Sequence, residues 1–376
     1  MLKKRLKQLN AWLHLWLGLI SGIVVVILSI TGCILVFEHE IKSLNAPWLK
    51  AEKPAGGILL PPSKLHKSVS QALPGKEIHS IWYHGENKTV QFSVDSDSLI
   101  YVNPYTAEVV AMVHHEDFFE FIDEGHRRLW LPDAIGKQVV GWSTFIFFLL
   151  LITGIVLWWP KKWNKAGRNQ SFKIKWKARF KRVNYDLHNV LGFYSLIVAL
   201  IFAITGLIMS FSWFNKGVYW LSGGNVNQKF EQSVSDTTVH KQVASIQAID
   251  KIWKKATSEL AEYNRDEVII SFPEQASDAI YVCVDMINGS WRDIYLDQHT
   301  LQPLPGSQTK LKDAAISTWL RRSNYGLHVG AFAGLTTKII YFLASLIAAS
   351  LPITGFYIWW GKQRKVKSKS KTFSIQ

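Results

Sequence analysis

Four stretches of the chain stay apolar for longer than a soluble helix requires, and the segments between them alternate or turn polar. They cover residues 11–37, 136–160, 186–211 and 332–361, each long enough for the ~20 apolar residues that cross a hydrocarbon core. None carries Asp, Glu or Arg in its apolar centre, and Lys338 lies near the start of the fourth, where its stem can snorkel. Alternation over 78–94 and 268–284 predicts strands between the spans. The expected architecture is a membrane α-helical four-span bundle with an α+β domain at 38–135 and another at 212–331. Residues 1–10, a loop at 161–185 and a tail at 362–376 complete it.

Charge orients that bundle. Residues 1–10 hold Lys3, Lys4, Arg5 and Lys7, the 161–185 loop holds ten Lys or Arg, and the tail from Lys362 holds six, all without an acid. The rest of the chain carries all 28 acidic residues. By the positive-inside rule the basic segments face the cytoplasm, both termini are inside and the two α+β domains are external. The net charge of +15 is therefore read as a topology signal, and a nucleic-acid partner is not expected. The 17 tryptophans suit a bilayer interface. The first apolar stretch is too long for a signal-peptide core and lacks a small-residue cleavage site, so it reads as a retained anchor. Cys33 and Cys283 show no metal spacing, and no disulfide is expected.

The chain also repeats itself. The first span reads Leu13-His14-Leu15-Trp16-Leu17-Gly18, with Thr31-Gly32 seventeen residues after the histidine. The third reads Leu187-His188-Asn189-Val190-Leu191-Gly192, with Thr205-Gly206 at the same distance. The second and fourth end alike, from Ile152-Thr153-Gly154 to Trp158-Trp159 and from Ile353-Thr354-Gly355 to Trp359-Trp360. Each Thr-Gly pair reads as a helix-packing device. Between the spans, residues 101–110 and 294–303 share one hairpin pattern. Two parallel halves imply a pseudo-twofold axis along the membrane normal.

This combination of repeated hairpin, histidines and Trp-Trp ends resembles the PepSY-associated transmembrane family over nearly the whole chain. That family includes bacterial iron-regulated inner-membrane proteins and ferric-siderophore reductases. The resemblance implies a bacterial inner-membrane protein with periplasmic PepSY-like domains and a ferric siderophore as electron acceptor. Ala107 stands where the family's turn usually has Gly.

Four of the twelve histidines occupy matching places. His14 and His188 begin the odd spans on the cytoplasmic side. His126 and His328 precede the even spans on the outer side, 27 and 26 residues before Thr153 and Thr354. The repeat axis would bring His14 toward His188 and His126 toward His328, and paired imidazoles across a bundle are what six-coordinate haem iron requires. Two b-type haems are the expected cofactors, giving electrons a path through the bilayer. Arg127, Arg128, Arg321 and Arg322 are candidate partners for propionates. The competing reading makes these histidines interfacial anchors and these arginines ordinary interface charges. His39 has Trp213 as its repeat counterpart and is the reserve ligand for the outer iron. His114 and His115 follow a strand, and His66, His79, His84, His240 and His299 lack metal-ligand spacing. Trp82, Tyr83 and Trp291 either contact the acceptor or fill domain cores.

No Gly-rich dinucleotide loop, Walker motif or HExxH occurs, so a separate soluble reductase or quinol must donate electrons. The function expected is transmembrane ferric-siderophore reduction. A peptidase-regulating PepSY module without a cofactor is the alternative, and a chelate transporter fits less well, because the spans are largely unbroken apart from Pro352.

Overall fold

The computed structural model describes residues 2–95, 98–114, 117–225, 233–238 and 242–373. His115 and His240 lie outside the described residues. In chain order the first half holds α1 (Leu2–Leu35), α2 (Glu38–Asn45), α3 (Pro62–Ala72), β1 (Ile78–His84), β2 (Val90–Val94), β3 (Ser98–Val102), β4 (Val109–His114), α4 (Phe118–Arg128) and α5 (Asp133–Trp158). The second half opens with α6 (Lys165–Phe172), α7 (Phe180–Asp186), a π-helical turn at Leu187–Leu191, α8 (Gly192–Ser210) and α9 (Ser212–Leu221). It continues with α10 (Ile246–Lys255), β5 (Glu267–Ser271), β6 (Ala279–Ile287), β7 (Ser290–Asp297), α11 (Ile316–Val329) and α12 (Gly334–Phe373).

These elements form two compact units. The first is built from the described residues of Met1–Phe37, Phe121–Asn215 and Leu327–Gln376. Four of its helical stretches are long and apolar enough to cross a membrane: Lys4–Leu35, Asp133–Trp158, Phe180–Ser210 and Ala331–Gln363. Their apolar windows are only 17–33% buried within the protein, so most of that surface requires lipid as solvent. The chain is a multi-pass membrane protein. α1 packs on α5 and α12, and α8 packs on the same two, so the four long helices close a ring.

The helices overrun the expected spans. α1 starts at Leu2 and takes in the basic N-terminal residues, α12 continues to Phe373, and the 161–185 loop folds into α6 and α7. Long helices cost little where basic side chains can reach water. Ahead of the even spans the opposite holds. α4 is cut from α5 at Leu129 and Trp130, both with φ of +56°. α11 is cut from α12 at Gly330, whose φ of +71° and close approach to the Tyr341 ring suit only glycine. His126 and His328 therefore sit on helices of their own.

The second unit, from Glu38–Glu120 and Lys216–Gly326, corrects the expected domain plan. The segments 38–135 and 212–331 do not fold as two separate domains. They share one seven-stranded sheet, ordered β4-β3-β2-β1-β5-β6-β7. β1 and β5 join it at the middle as an antiparallel pair, with Ile81 opposite Ile270 and Tyr83 opposite Val268. Either segment alone would leave that strand edge open to solvent and to other chains, and pairing the two edges removes both liabilities. One face of the sheet buries Ile81, Phe92, Ile100, Ile270, Val282 and Leu296 in a single core, covered by Leu65 and Val69 of α3 and Ile249 and Ile252 of α10. Each such side chain contributes about 1.5–3 kcal/mol on burial.

The repeated hairpin is built alike in both halves. Asn103 accepts from the backbone N–H of Ala107, and Asp297 from that of Leu301, at 2.9 and 3.0 Å. Their side-chain oxygens also accept from Tyr105 and Thr106, and from His299 and Thr300. Ala107 and Leu301 both take the left-handed conformation, with φ of +63° and +57°. That explains why a glycine would suit position 107.

Candidate functional site: two pairs of histidines in the helical ring

The helical unit brings together the histidines that the repeat singles out. The rings of His14 on α1 and His188 in the π-helical turn have centroids 6.3 Å apart and planes 88° apart. The rings of His126 on α4 and His328 on α11 lie 6.1 Å apart with planes at 60°. The π-helical turn adds a residue to the helix at His188, a distortion frequent at functional positions, although a second such turn at Ala256–Leu260 lies in the sheet unit.

Every one of the four rings is held in the same way. Nδ1 of His14 lies 2.9 Å from the Thr153 hydroxyl, and Nδ1 of His188 lies 2.9 Å from that of Thr354. Nδ1 of His126 meets Thr31 at 2.9 Å and Nδ1 of His328 meets Thr205 at 2.7 Å. Each threonine hydroxyl sits within hydrogen-bonding reach of the carbonyl four residues earlier in its own helix, at Leu149, Ser350, Ile27 and Ile201. With its proton committed there, the threonine oxygen can only accept from the histidine. That fixes the imidazole tautomer with the proton on Nδ1 and leaves the Nε2 lone pair free. Among the described residues no hydrogen-bond donor meets Nε2 of any of the four rings.

The glycine after each threonine makes the room. A Cβ at Gly154 would stand 3.3 Å from Cε1 of His14, and one at Gly355 3.3 Å from Cε1 of His188. At Gly32 and Gly206 the distances to His126 and His328 would be 3.4 and 3.8 Å. The Thr-Gly pairs are thus imidazole cradles, a role beyond the general packing that the sequence suggested. Sequence reasoning also missed Asn10 and Asn184. Their side-chain amides donate to the backbone carbonyls of Thr153 and Thr354 at 3.1 and 3.0 Å. Both asparagines stand four residues before a paired histidine, and that recurring spacing is the signal that would have found them.

The donor set defines what this arrangement can hold. Two imidazoles bound through Nε2 on opposite sides of one metal, with metal–nitrogen bonds of about 2.0–2.1 Å, have ring centres roughly 6.3–6.5 Å apart. The His14–His188 pair falls in that range and the His126–His328 pair lies just below it. Neither pair belongs to a group of three or more His, Cys, Asp or Glu side chains within coordinating reach, among the described residues. Each pair would therefore suit a centre that takes two imidazoles and brings its other ligands with it.

The arginines have protein partners. Arg127 pairs with Asp123 at 3.1 Å, and Arg128 pairs with Glu124 and with Asp133. Arg321 and Arg322 belong to the sheet unit. Arg321 lies over the Tyr219 ring at 5.2 Å. Arg322 is buried and donates to the carbonyls of Trp291 and Thr309, a structural role that leaves its guanidinium little to offer a ligand. His39 lies on α2 of the sheet unit. Tyr83 is core, with its hydroxyl on the Leu60 carbonyl, whereas Trp82 stacks on His84. His84 is pushed down to about 4 by desolvation, with Lys88 adding to the effect. His79, which has no ligand spacing in sequence, comes together with Glu77 and Glu274.

No curated protein matches the chain significantly. The family model for the PepSY-associated TM region matches residues 11–362, a stretch that contains all four paired histidines and their threonines, and the chain belongs to that family.

Proposed function

We propose that the chain is a transmembrane oxidoreductase that holds two b-type haems between its histidine pairs and reduces an external ferric chelate, a ferric siderophore, to release iron. The observation that carries this reading is the two-fold recurrence of facing imidazoles, 6.3 and 6.1 Å apart, each with Nδ1 tied to a threonine. Bound haem supplies the one-electron Fe(III)/Fe(II) couple that amino-acid side chains lack. His14 with His188, and His126 with His328, would hold the two haems through Nε2. Thr153, Thr354, Thr31 and Thr205 hold the rings in the ligating tautomer and raise ligand basicity. Lipid-facing apolar helices keep water away.

Under the positive-inside rule the His14–His188 end of the ring faces the cytoplasm of a bacterial inner membrane. The sheet unit is then periplasmic and meets the chelate. Electrons come from a separate soluble reductase or quinol.

The test is spectroscopic. Full-length protein from haem-replete cells is expected to be red, with two haems per chain and a Soret band that shifts on dithionite reduction. His14→Ala and His328→Ala are each expected to lose one haem. A colourless, folded preparation would overturn the redox reading and favour a peptidase-regulating module.

A further inference from the structure

A second cluster of ligating side chains lies outside the helical unit, at the seam where the two halves of the sheet meet. Glu77 immediately precedes β1, His79 is its second residue, and Glu274 follows β5. One ligand atom from each lies within 4.8 Å of the other two. Nδ1 of His79 and Oε1 of Glu274 are 2.8 Å apart. Two ligands at right angles around an ion with bonds of about 2.1 Å lie about 3 Å apart, so this pair already has the spacing of one edge of a coordination shell.

The backbone under all three residues is fixed. Glu77 exchanges backbone hydrogen bonds with Asp95, donating to its carboxylate and accepting from its N–H, both at 3.1 Å. The His79 carbonyl accepts from the Phe272 N–H at 2.8 Å, which locks β1 to the end of β5. Asp278 accepts from the N–H groups of Glu274 and Gln275 at 2.9 and 2.8 Å. Among the described residues, the neighbouring Lys76 is taken by Asp95 at 2.6 Å. Among the described residues the Glu77 carboxylate forms no ion pair, and Glu274 pairs only with His79. Two carboxylates so close repel each other unless a cation sits between them. Glu274 also lines an open cleft of about 480 Å³, with Ser271, Asp278 and Tyr295, through which a hydrated ion can arrive.

We propose that Glu77, His79 and Glu274 form a binding site for a first-row divalent transition-metal ion, held across the β1–β5 seam. The imidazole selects against Ca²⁺ and Mg²⁺, which prefer an all-oxygen shell, and the carboxylates suit Zn²⁺, Fe²⁺ or Mn²⁺. Three protein ligands leave positions for water, so the exposed site exchanges its ion readily. Because one ligand set spans both halves, the bound ion also clamps the seam. This inference is independent of the haem reading.

The probe is Co²⁺, titrated into full-length protein in detergent without a polyhistidine tag. We expect about one Co²⁺ per chain by isothermal titration calorimetry, and a rise in the melting temperature of the sheet unit. His79→Ala and Glu274→Gln should each weaken binding at least tenfold and abolish the melting shift, with haem content unchanged. All three ligands are at least partly exposed, so these variants are expected to fold, and Glu77→Gln provides a further one. No binding isotherm, or one retained at full strength in His79→Ala and Glu274→Gln, would overturn the proposal.

Discussion

Nδ1 of His14 sits 2.9 Å from the hydroxyl of Thr153, although 139 residues separate them in the chain. Because that hydroxyl already donates to Leu149, the contact acts in one direction and decides which nitrogen of the imidazole is free. Thr153→Val keeps the shape and removes the acceptor. It is expected to weaken haem retention about 10–100-fold, the usual cost of losing an outer-sphere partner of a ligating histidine. Thr153→Ser should restore most of it. Haem-to-protein absorbance ratios after dialysis check both.

The glycine cradles predict a graded series. Gly154→Ala and Gly355→Ala put a methyl 3.3 Å from an imidazole carbon, whereas Gly206→Ala leaves 3.8 Å to His328. The first two should displace their rings and broaden the ligand-sensitive visible bands, and the third should do so least. Helix propensity alone would stabilise all three by about 1 kcal/mol, so a uniform gain in melting temperature without spectral change would count against the cradle.

Arginine placement makes a contrasting pair. Arg322→Ala removes a buried guanidinium from the carbonyls of Trp291 and Thr309, and is expected to cost the sheet unit about 2–4 kcal/mol. Arg127→Ala removes an exposed pair with Asp123 and should cost about 0.5 kcal/mol or less. Denaturant titrations of the full-length protein measure both.

Ala107 occupies a left-handed position at φ +63°. Ala107→Gly relieves a strain of about 1–2 kcal/mol, partly offset by the freer unfolded chain, for a net gain of about 0.5–1 kcal/mol. A higher denaturation midpoint is the expected outcome.

Acid sensitivity follows from His84. Its ordinary value of 6.5 applies to the unfolded chain, and burial lowers it to about 4 in the fold. Between those values the unfolded state binds more protons, so the stability of the sheet unit should fall as pH drops from about 6.5 to about 4, then level off in this contribution. Denaturant midpoints at pH 7, 5.5 and 4 test this, and His84→Gln should flatten the dependence.

What the sequence disclosed, and what it hid, divides along physical lines. Spans announce themselves because lipid demands long uninterrupted apolar runs, and the ends differ mainly where basic residues let α1 and α12 run on. The pairing of His14 with His188 and of His126 with His328 was legible from internal repetition. Thr31 and Thr153 are visible in the sequence only as parts of helix-packing pairs, because a hydroxyl's acceptor role depends on where its own proton goes. The merged sheet was hidden. Alternation in β1 and β5 states that each is a strand with a buried face, but period-two patterning does not say which strand lies alongside. The meeting of His79 with Glu274, 195 positions away, was concealed for the same reason.

The shared sheet has a consequence for biogenesis. β1 emerges during synthesis with a raw lateral edge and stays so until the ribosome has delivered Ser271. The first-half strands therefore keep that edge unpaired until the second half of the chain is made. Once β5 has paired with β1, neither half of the sheet can separate without re-exposing that edge.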